Sequence, residues 1–168
     1  MLSANPRRSL RTPLSPEQRY SPAQTSRKRP GATMTKRILV VEDRDDSRAI
    51  LVTILRRLCG YETIDAANGT EAIEKAASEE PDLILMDLDL PDISGIDAAR
   101  AIKGNPKIVH IPIIAQTAWS SRQWKSKVLK IGMADYLEKP VSIELMKAII
   151  EKYTSLSDED HDGAGFAR

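Results

Sequence analysis

The chain has 168 residues, 41% of them apolar, enough for one domain with an ordinary core and too few for a second sizeable one. Its 25 Lys and Arg against 24 Asp and Glu leave a formal net charge of +1, which gives no overall electrostatic grip on nucleic acid or membrane. Cys59 is the single cysteine, which excludes an intrachain disulfide framework or cysteine zinc cluster and fits a reducing, cytoplasmic compartment. Charges interrupt every apolar stretch well short of the roughly 20 residues that a spanning helix needs.

The near-neutral total conceals an uneven distribution. Residues 1–33 hold seven basic residues and one acid, five of the ten prolines and eight Ser or Thr, without apolar periodicity. Such a segment cannot bury enough surface to offset its chain entropy and is expected to be disordered. Its Arg- and Ser-rich composition mimics a transit peptide, but the prolines oppose an amphipathic helix, and no apolar secretory core is present. Met34, directly before the first strand-like run, is an alternative start of translation. Residues 154–168 hold one basic residue and four acids, leaving the stretch between slightly acidic.

From residue 36 short apolar runs alternate with helical patterns. Ile38-Leu39-Val40-Val41 reads as a strand covered on both faces. A helix follows, capped by Asp45 or Asp46, with Leu51, Ile54, Leu55 and Leu58 at helical spacing and Gly60 at its end. Residues 61–66 form a second strand, Asn68-Gly69 a turn, and 70–78 a helix that stops before Pro81. Strands over 83–87, 111–116 and 134–137 then alternate with helices over 94–103, 121–131 and 142–153, the last capped by Ser142. Five such alternations imply a parallel α/β sheet with helices on both faces, whose ligands bind beyond the carboxyl ends of the strands.

The residues at those ends are Glu42 and Asp43 after strand one, Asp87 after strand three, Thr117 after strand four and Lys139 after strand five. Strand two offers nothing comparable, as expected of an edge. Three carboxylates on one rim repel one another and call for a divalent cation or the lysine. Oxygen donors suit Mg²⁺, which accepts a phosphoryl oxygen as a further ligand. A carboxylate can itself accept a phosphoryl group, and the central Asp87 is the candidate nucleophile. Lys139 would pair with one phosphoryl oxygen and Thr117 would donate to another.

Four stretches carry a family resemblance: Ile38-Leu39-Val40-Val41-Glu42-Asp43, the run from Asp82 to Gly95, Ile113-Ile114-Ala115-Gln116-Thr117-Ala118, and Asp135-Tyr136-Leu137-Glu138-Lys139-Pro140. In order and spacing they resemble the receiver domain of two-component response regulators over about residues 36–153. The resemblance implies a flavodoxin-like doubly wound sheet of five parallel strands in the order 2-1-3-4-5, with five helices. It implies phosphorylation of Asp87 by a histidine kinase or histidine phosphotransfer protein, with Mg²⁺ held by Asp43, Asp87 and the backbone carbonyl of Asp89, assisted by Glu42 through water. Thr117, Ala118 and Lys139 would receive the phosphoryl group, and the Lys139-Pro140 peptide would be cis. Thr117 would then move toward that group while Tyr136 turns inward, repacking the surface of helix four, strand five and helix five. Asp89 and Trp119 occupy positions that influence phosphoryl lifetime in this family.

The expected organisation is therefore a basic disordered tail over 1–34, a receiver domain over 35–153 and an acidic disordered tail over 154–168. About 15 polar residues after 153 leave no room for a DNA-binding or catalytic output domain, so the output would be contact with a protein effector, with no membrane and no small-molecule substrate beyond phosphodonors. On this reading the protein is a phosphoacceptor rather than an enzyme. The Leu-Pro-Asp-Ile-Ser-Gly loop and the His-Ile-Pro strand entry are similar to stand-alone division-control receivers of alphaproteobacteria.

Two alternatives stand beside this one. A pseudo-receiver adaptor would use the fold without phosphorylation, although it would have no reason to keep the carboxylate cluster. Asp87-Leu88-Asp89-Leu90 also fits the start of haloacid-dehalogenase-type phosphatases, a motif expected on a first strand. Residues 163–165 are no nucleotide loop, and His110 and His161 have no neighbours in sequence that suggest a metal site. Trp124, Val128 and Ile131 form a stripe on the fourth helix that is explained mostly by core packing, any exposed part suiting a partner.

Overall fold

The computed structural model describes residues 35–118 and 122–159; the N-terminal tail, residues 160–168 and Trp119 lie outside the described residues. Strands and helices alternate as β1 (Arg37–Val41), α1 (Asp45–Arg57), β2 (Glu62–Ala66), α2 (Gly69–Glu79), β3 (Leu83–Asp87), α3 (Gly95–Lys103), β4 (Ile113–Thr117), α4 (Arg122–Lys130), β5 (Asp135–Glu138) and α5 (Ile143–Glu159). The strands pair in parallel in the order β2-β1-β3-β4-β5, the flavodoxin-like order that the resemblance implies.

The continuous apolar runs are explained by burial on both faces of the sheet. Side chains alternate across a strand, so Leu39, Val41, Ile84, Met86, Ile113 and Ala115 pack with Ala72 and Ala76 of α2, Ala98, Ala99 and Ile102 of α3 and Val128 of α4. On the other face Ile38, Val40, Leu83, Leu85, Ile114 and Leu137 pack with Leu55 of α1 and Met146 and Ile150 of α5. Alanines at the α2 and α3 contact let the two helices lie close together. β3 and β4 are buried along their whole length, whereas β2 is exposed at two of its five positions, as befits an edge.

Several boundaries differ from the expected ones for local reasons. Neither Asp45 nor Asp46 caps α1: Arg44 holds the cap position without a side-chain cap bond, and both acids lie in the first turn, where they complement the helix dipole. α1 ends at Arg57 with Leu58 as its cap residue, and Gly60 follows at φ +75, turning the chain into β2. Asn68-Gly69 is the start of α2 and not a separate turn, since the Asn68 side chain accepts from the Glu71 amide. β4 begins at Ile113 because a turn closed from Ile111 N to Ile108 O precedes it and Pro112 intervenes. α5 continues through Glu159, so residues 154–159 are helical and not part of an acidic tail; Thr154 is buried, and its hydroxyl donates to the Ile150 carbonyl.

Candidate functional site

β1, β3, β4 and β5 deliver the expected residues to one rim. Glu42 is held beyond β1 by the hydrogen bond that its amide donates to Ala66 O, Leu88 after β3 by that of its amide to Gln116 O, and Lys139 after β5 by that of its amide to Thr117 O. Carboxylate oxygens of Glu42, Asp43 and Asp87 lie within 4.8 Å of one another. Glu42 and Asp87 are buried, at 1% and 6% exposure, while Asp43 faces solvent. Lys139 Nζ donates to Asp87 Oδ2 at 2.6 Å and to Glu42 Oε2 at 2.7 Å. Burial pulls the Lys139 pKa down, but its bonds to Asp87 and Glu42 outweigh this and hold the ammonium above its ordinary range.

One ammonium among three carboxylates leaves the rim electrostatically undercompensated, and two of those carboxylates are removed from water. A hard divalent cation fits that donor set, with Asp43 and Asp87 able to hold it and Glu42 at hand. Thr117 is buried beside Asp87, Ala118 is exposed at the mouth, and both line the same cavity of about 890 Å³ as Lys139. Asp89 is exposed, and its amide donates to Asp87 Oδ1 at 3.1 Å, which orients the acceptor carboxylate. Tyr136 lies away from this cluster, half-buried against the α2–α4 side of the core. The Lys139-Pro140 peptide is cis, as the resemblance implies. Asp87 stands on the third strand, unlike the first-strand motif of the dehalogenase-type alternative.

The loop from Leu88 to Ser94 is fixed by contacts that sequence reading did not find. Asp92 Oδ1 accepts from Gly69 N at 2.8 Å, and its Oδ2 accepts from Thr70 N at 2.9 Å and Thr70 Oγ1 at 2.6 Å. The Thr70 hydroxyl and these amides hold the Asp92 carboxyl well below the usual carboxylate range. At the end of the loop, a Cβ on Gly95 would stand 2.0 Å from the Asp87 carbonyl oxygen, so only glycine lets α3 start there. Arg48 braces the other side of the rim, donating to the Glu42 carbonyl at 2.7 Å while facing Asp65 at 3.5 Å. Gln116 is fully buried next to the site, and neither atom of its carboxamide has a hydrogen-bond partner among the described residues. A glutamine inside an otherwise buried strand was the one signal in the sequence that marked it.

Comparison with known proteins matches this arrangement. The response regulator receiver domain profile matches residues 38–151. The polar-differentiation response regulator DivK of Brucella ovis is 34% identical over 120 residues, covering 71% of this chain and 97% of DivK. Among solved structures, a receiver domain of a Vibrio parahaemolyticus LuxO-type repressor superposes with a TM-score of 0.70 at 29% identity, covering 79% of this chain and all of that one. The receiver domain of a Pseudomonas aeruginosa sensor histidine kinase, described with magnesium coordinated in its active-site cleft, gives a TM-score of 0.67 at 33% identity over 73% of this chain and 99% of that one. With the five-stranded order, the acidic rim and the lysine each in place over most of its length, the chain belongs to the receiver domain family of two-component response regulators.

Proposed function

We propose that this receiver is a phosphoacceptor, taking a phosphoryl group on Asp87 from a histidine kinase or histidine phosphotransfer protein in the cytoplasm and signalling through protein contacts. The observation that carries this reading is the Lys139 ammonium bridging Asp87 and Glu42 within the three-carboxylate rim. A carboxylate oxygen of Asp87 would form the new P–O bond as the P–N bond of the donor imidazole breaks, the electron pair leaving with the nitrogen. Asp43, Asp87 and the Asp89 carbonyl would hold Mg²⁺, which supplies neutralisation of charge on the transferring group when bound.

The chain's own groups do the rest. Asp89 N donates to Asp87 Oδ1, and Oδ2, held by Lys139, would be freed for the incoming phosphorus as the ammonium moves to a phosphoryl oxygen. Lys139 exchanges one carboxylate for a phosphoryl oxygen, so its charge stays compensated throughout the transfer. Thr117 donates its hydroxyl to another phosphoryl oxygen beside the Ala118 backbone. Its movement opens space that Tyr136 fills, repacking α4, β5 and α5. The protein thus acts as a substrate and switch rather than as an enzyme with turnover. Support for a protein-contact output comes from the match across 97% of DivK, named as a polar-differentiation response regulator. Among the described residues no helix is long and apolar enough to cross a membrane.

Incubation with Mg²⁺ and acetyl phosphate, read by intact mass beside Asp87→Asn, tests the proposal. A single phosphoryl increment lost in the variant is the expected result. No Asp87-dependent adduct would favour the adaptor reading, and rapid turnover of many phosphate esters would favour a phosphatase.

A further inference from the structure

β4 reads Ile-Ile-Ala-Gln-Thr, and all five residues are buried. Side chains alternate along a strand, so Gln116 shares the sheet face of Ile114, which packs with Leu55 of α1 and Met146 and Ile150 of α5. A leucine or methionine would fill that place without burying a polar group. The glutamine is fully buried, and neither end of its carboxamide has a partner among the described residues. Nearly all buried polar side chains are hydrogen-bonded, so one left unpaired beside a reactive site calls for a role in a second state of that site.

The topology names the group that can meet this demand. Asp87 is the register partner of Gln116 on β3, and Lys139 follows β5 on the other side of β4. The Lys139 ammonium nevertheless donates to Asp87 Oδ2 at 2.6 Å and to Glu42 Oε2 at 2.7 Å. With β4 standing between β5 and β3, the lysine side chain has to cross the breadth of β4, and the residue of β4 level with Asp87 on that face is Gln116. Gln116, Asp87 and Lys139 accordingly line one cavity. Leu51 and Ile54 of α1 and Met146 of α5, which pack on the same face, offer the carboxamide no comparable partner. An ammonium carries three hydrogens, and two of those of Lys139 go to the carboxylates.

We propose that Gln116 is a positioning residue for phosphoryl transfer, its Oε1 accepting the third hydrogen of the Lys139 ammonium as that group leaves Asp87 for a phosphoryl oxygen. The inference rests on the phosphoacceptor reading above. Asp87 Oδ2 can bond to phosphorus only after it sheds its charge-assisted hydrogen bond to Lys139. An acceptor on the strand that the lysine crosses offsets part of that loss, and the cost of its own unpaired burial at rest falls away in the same step. Both ends of the carboxamide being unpartnered, the amide turns its oxygen to the ammonium without breaking another bond. Gln116 touches no reacting atom and acts through Lys139. It favours the phosphoryl-loaded state over the resting one by about tenfold, the lower end of the scale for one hydrogen bond to a charged group.

Calorimetric titration of the full chain with beryllium fluoride in saturating Mg²⁺ tests this, beryllofluoride standing in for the phosphoryl group on Asp87. Gln116→Leu and Gln116→Met should each lose about tenfold in beryllofluoride affinity while Mg²⁺ affinity, titrated alone, is unchanged, a split that packing by itself would not give. In a Lys139→Met background the same substitutions should cost little further, because the group they serve is gone. Unchanged beryllofluoride affinity in both variants, an equal loss of Mg²⁺ affinity, or a loss undiminished without Lys139 would overturn the proposal. Intact mass of the wild-type chain after acetyl phosphate treatment separates the two levels of the argument. Absence of an Asp87-dependent phosphoryl increment would defeat the phosphoacceptor reading and this proposal with it, whereas an increment beside equal beryllofluoride affinities would defeat the role of Gln116 alone.

Discussion

Gln116 stands opposite Asp87 in the parallel register of β3 and β4, fully buried, with both ends of its carboxamide unpartnered among the described residues. An unsatisfied buried amide costs about 1–3 kcal/mol, so Gln116→Leu, close in volume, should raise stability by about that amount. In urea unfolding the midpoint should rise with an unchanged slope. A fall in midpoint would mean that the amide is satisfied in solution, for example by an internal water.

Lys139 is the cation of two buried carboxylates. Lys139→Met should therefore destabilise the protein by about 1–3 kcal/mol, less than for a fully buried pair because the lysine is partly exposed. The pH course follows from the raised pKa. Stability from a group whose pKa rises on folding is complete below the unfolded value and is lost as pH climbs through the folded one. With the folded value above the ordinary lysine value of 10.5, the gap between wild type and variant should stay constant through neutral pH and close only in the alkaline range. A gap that closes near neutrality would contradict the assignment.

Divalent cation should stabilise the fold through the same cluster. At Mg²⁺ about a hundredfold above its dissociation constant the gain is about 2.7 kcal/mol, visible as a higher thermal midpoint. Asp43→Asn, which removes the exposed member of the three carboxylates, should abolish most of that gain while leaving the metal-free protein close to wild type. Calorimetric titration with Mg²⁺ supplies the affinity; equal affinities would place the cation elsewhere.

Asp92 ties the loop after β3 to the start of α2 through Gly69 and Thr70. Its carboxyl is depressed first by the Thr70 hydroxyl and then by backbone amides. A depressed carboxyl stabilises above its unfolded pKa and loses that contribution as pH falls through the folded value. The Gly69 and Thr70 amide resonances should therefore hold their positions down through the ordinary carboxylate range and shift only in stronger acid. In Asp92→Ala those resonances should already be displaced at neutral pH, and coincidence with wild type would refute the tether.

Most of the fold was legible because apolar runs that are buried on both faces end abruptly in polar residues, which marks strand ends such as Val41-Glu42-Asp43 and Met86-Asp87. The acidic rim and Lys139 followed from that alone. The braces did not. Asp92 reaches an amide 23 residues away, and Arg48 reaches the Glu42 carbonyl only because of how α1 rotates, so neither leaves a periodic trace. The end of α5 was missed for a related reason: five of its last six residues are polar, so no apolar periodicity marks the helix there.

Alternation along neighbouring strands has a consequence for insertions. Asp87 and Gln116 share the sheet face covered by α1 and α5, whereas Thr117 follows one residue later on the opposite face, where Tyr136 packs with α2, α3 and α4. Asp87 and Tyr136 thus stand on opposite sides of one sheet, with Thr117 at the strand end lining the same cavity as Asp87. An inserted residue in β4 would exchange its two faces, turning Gln116 out of register with Asp87 and carrying Thr117 to the other side.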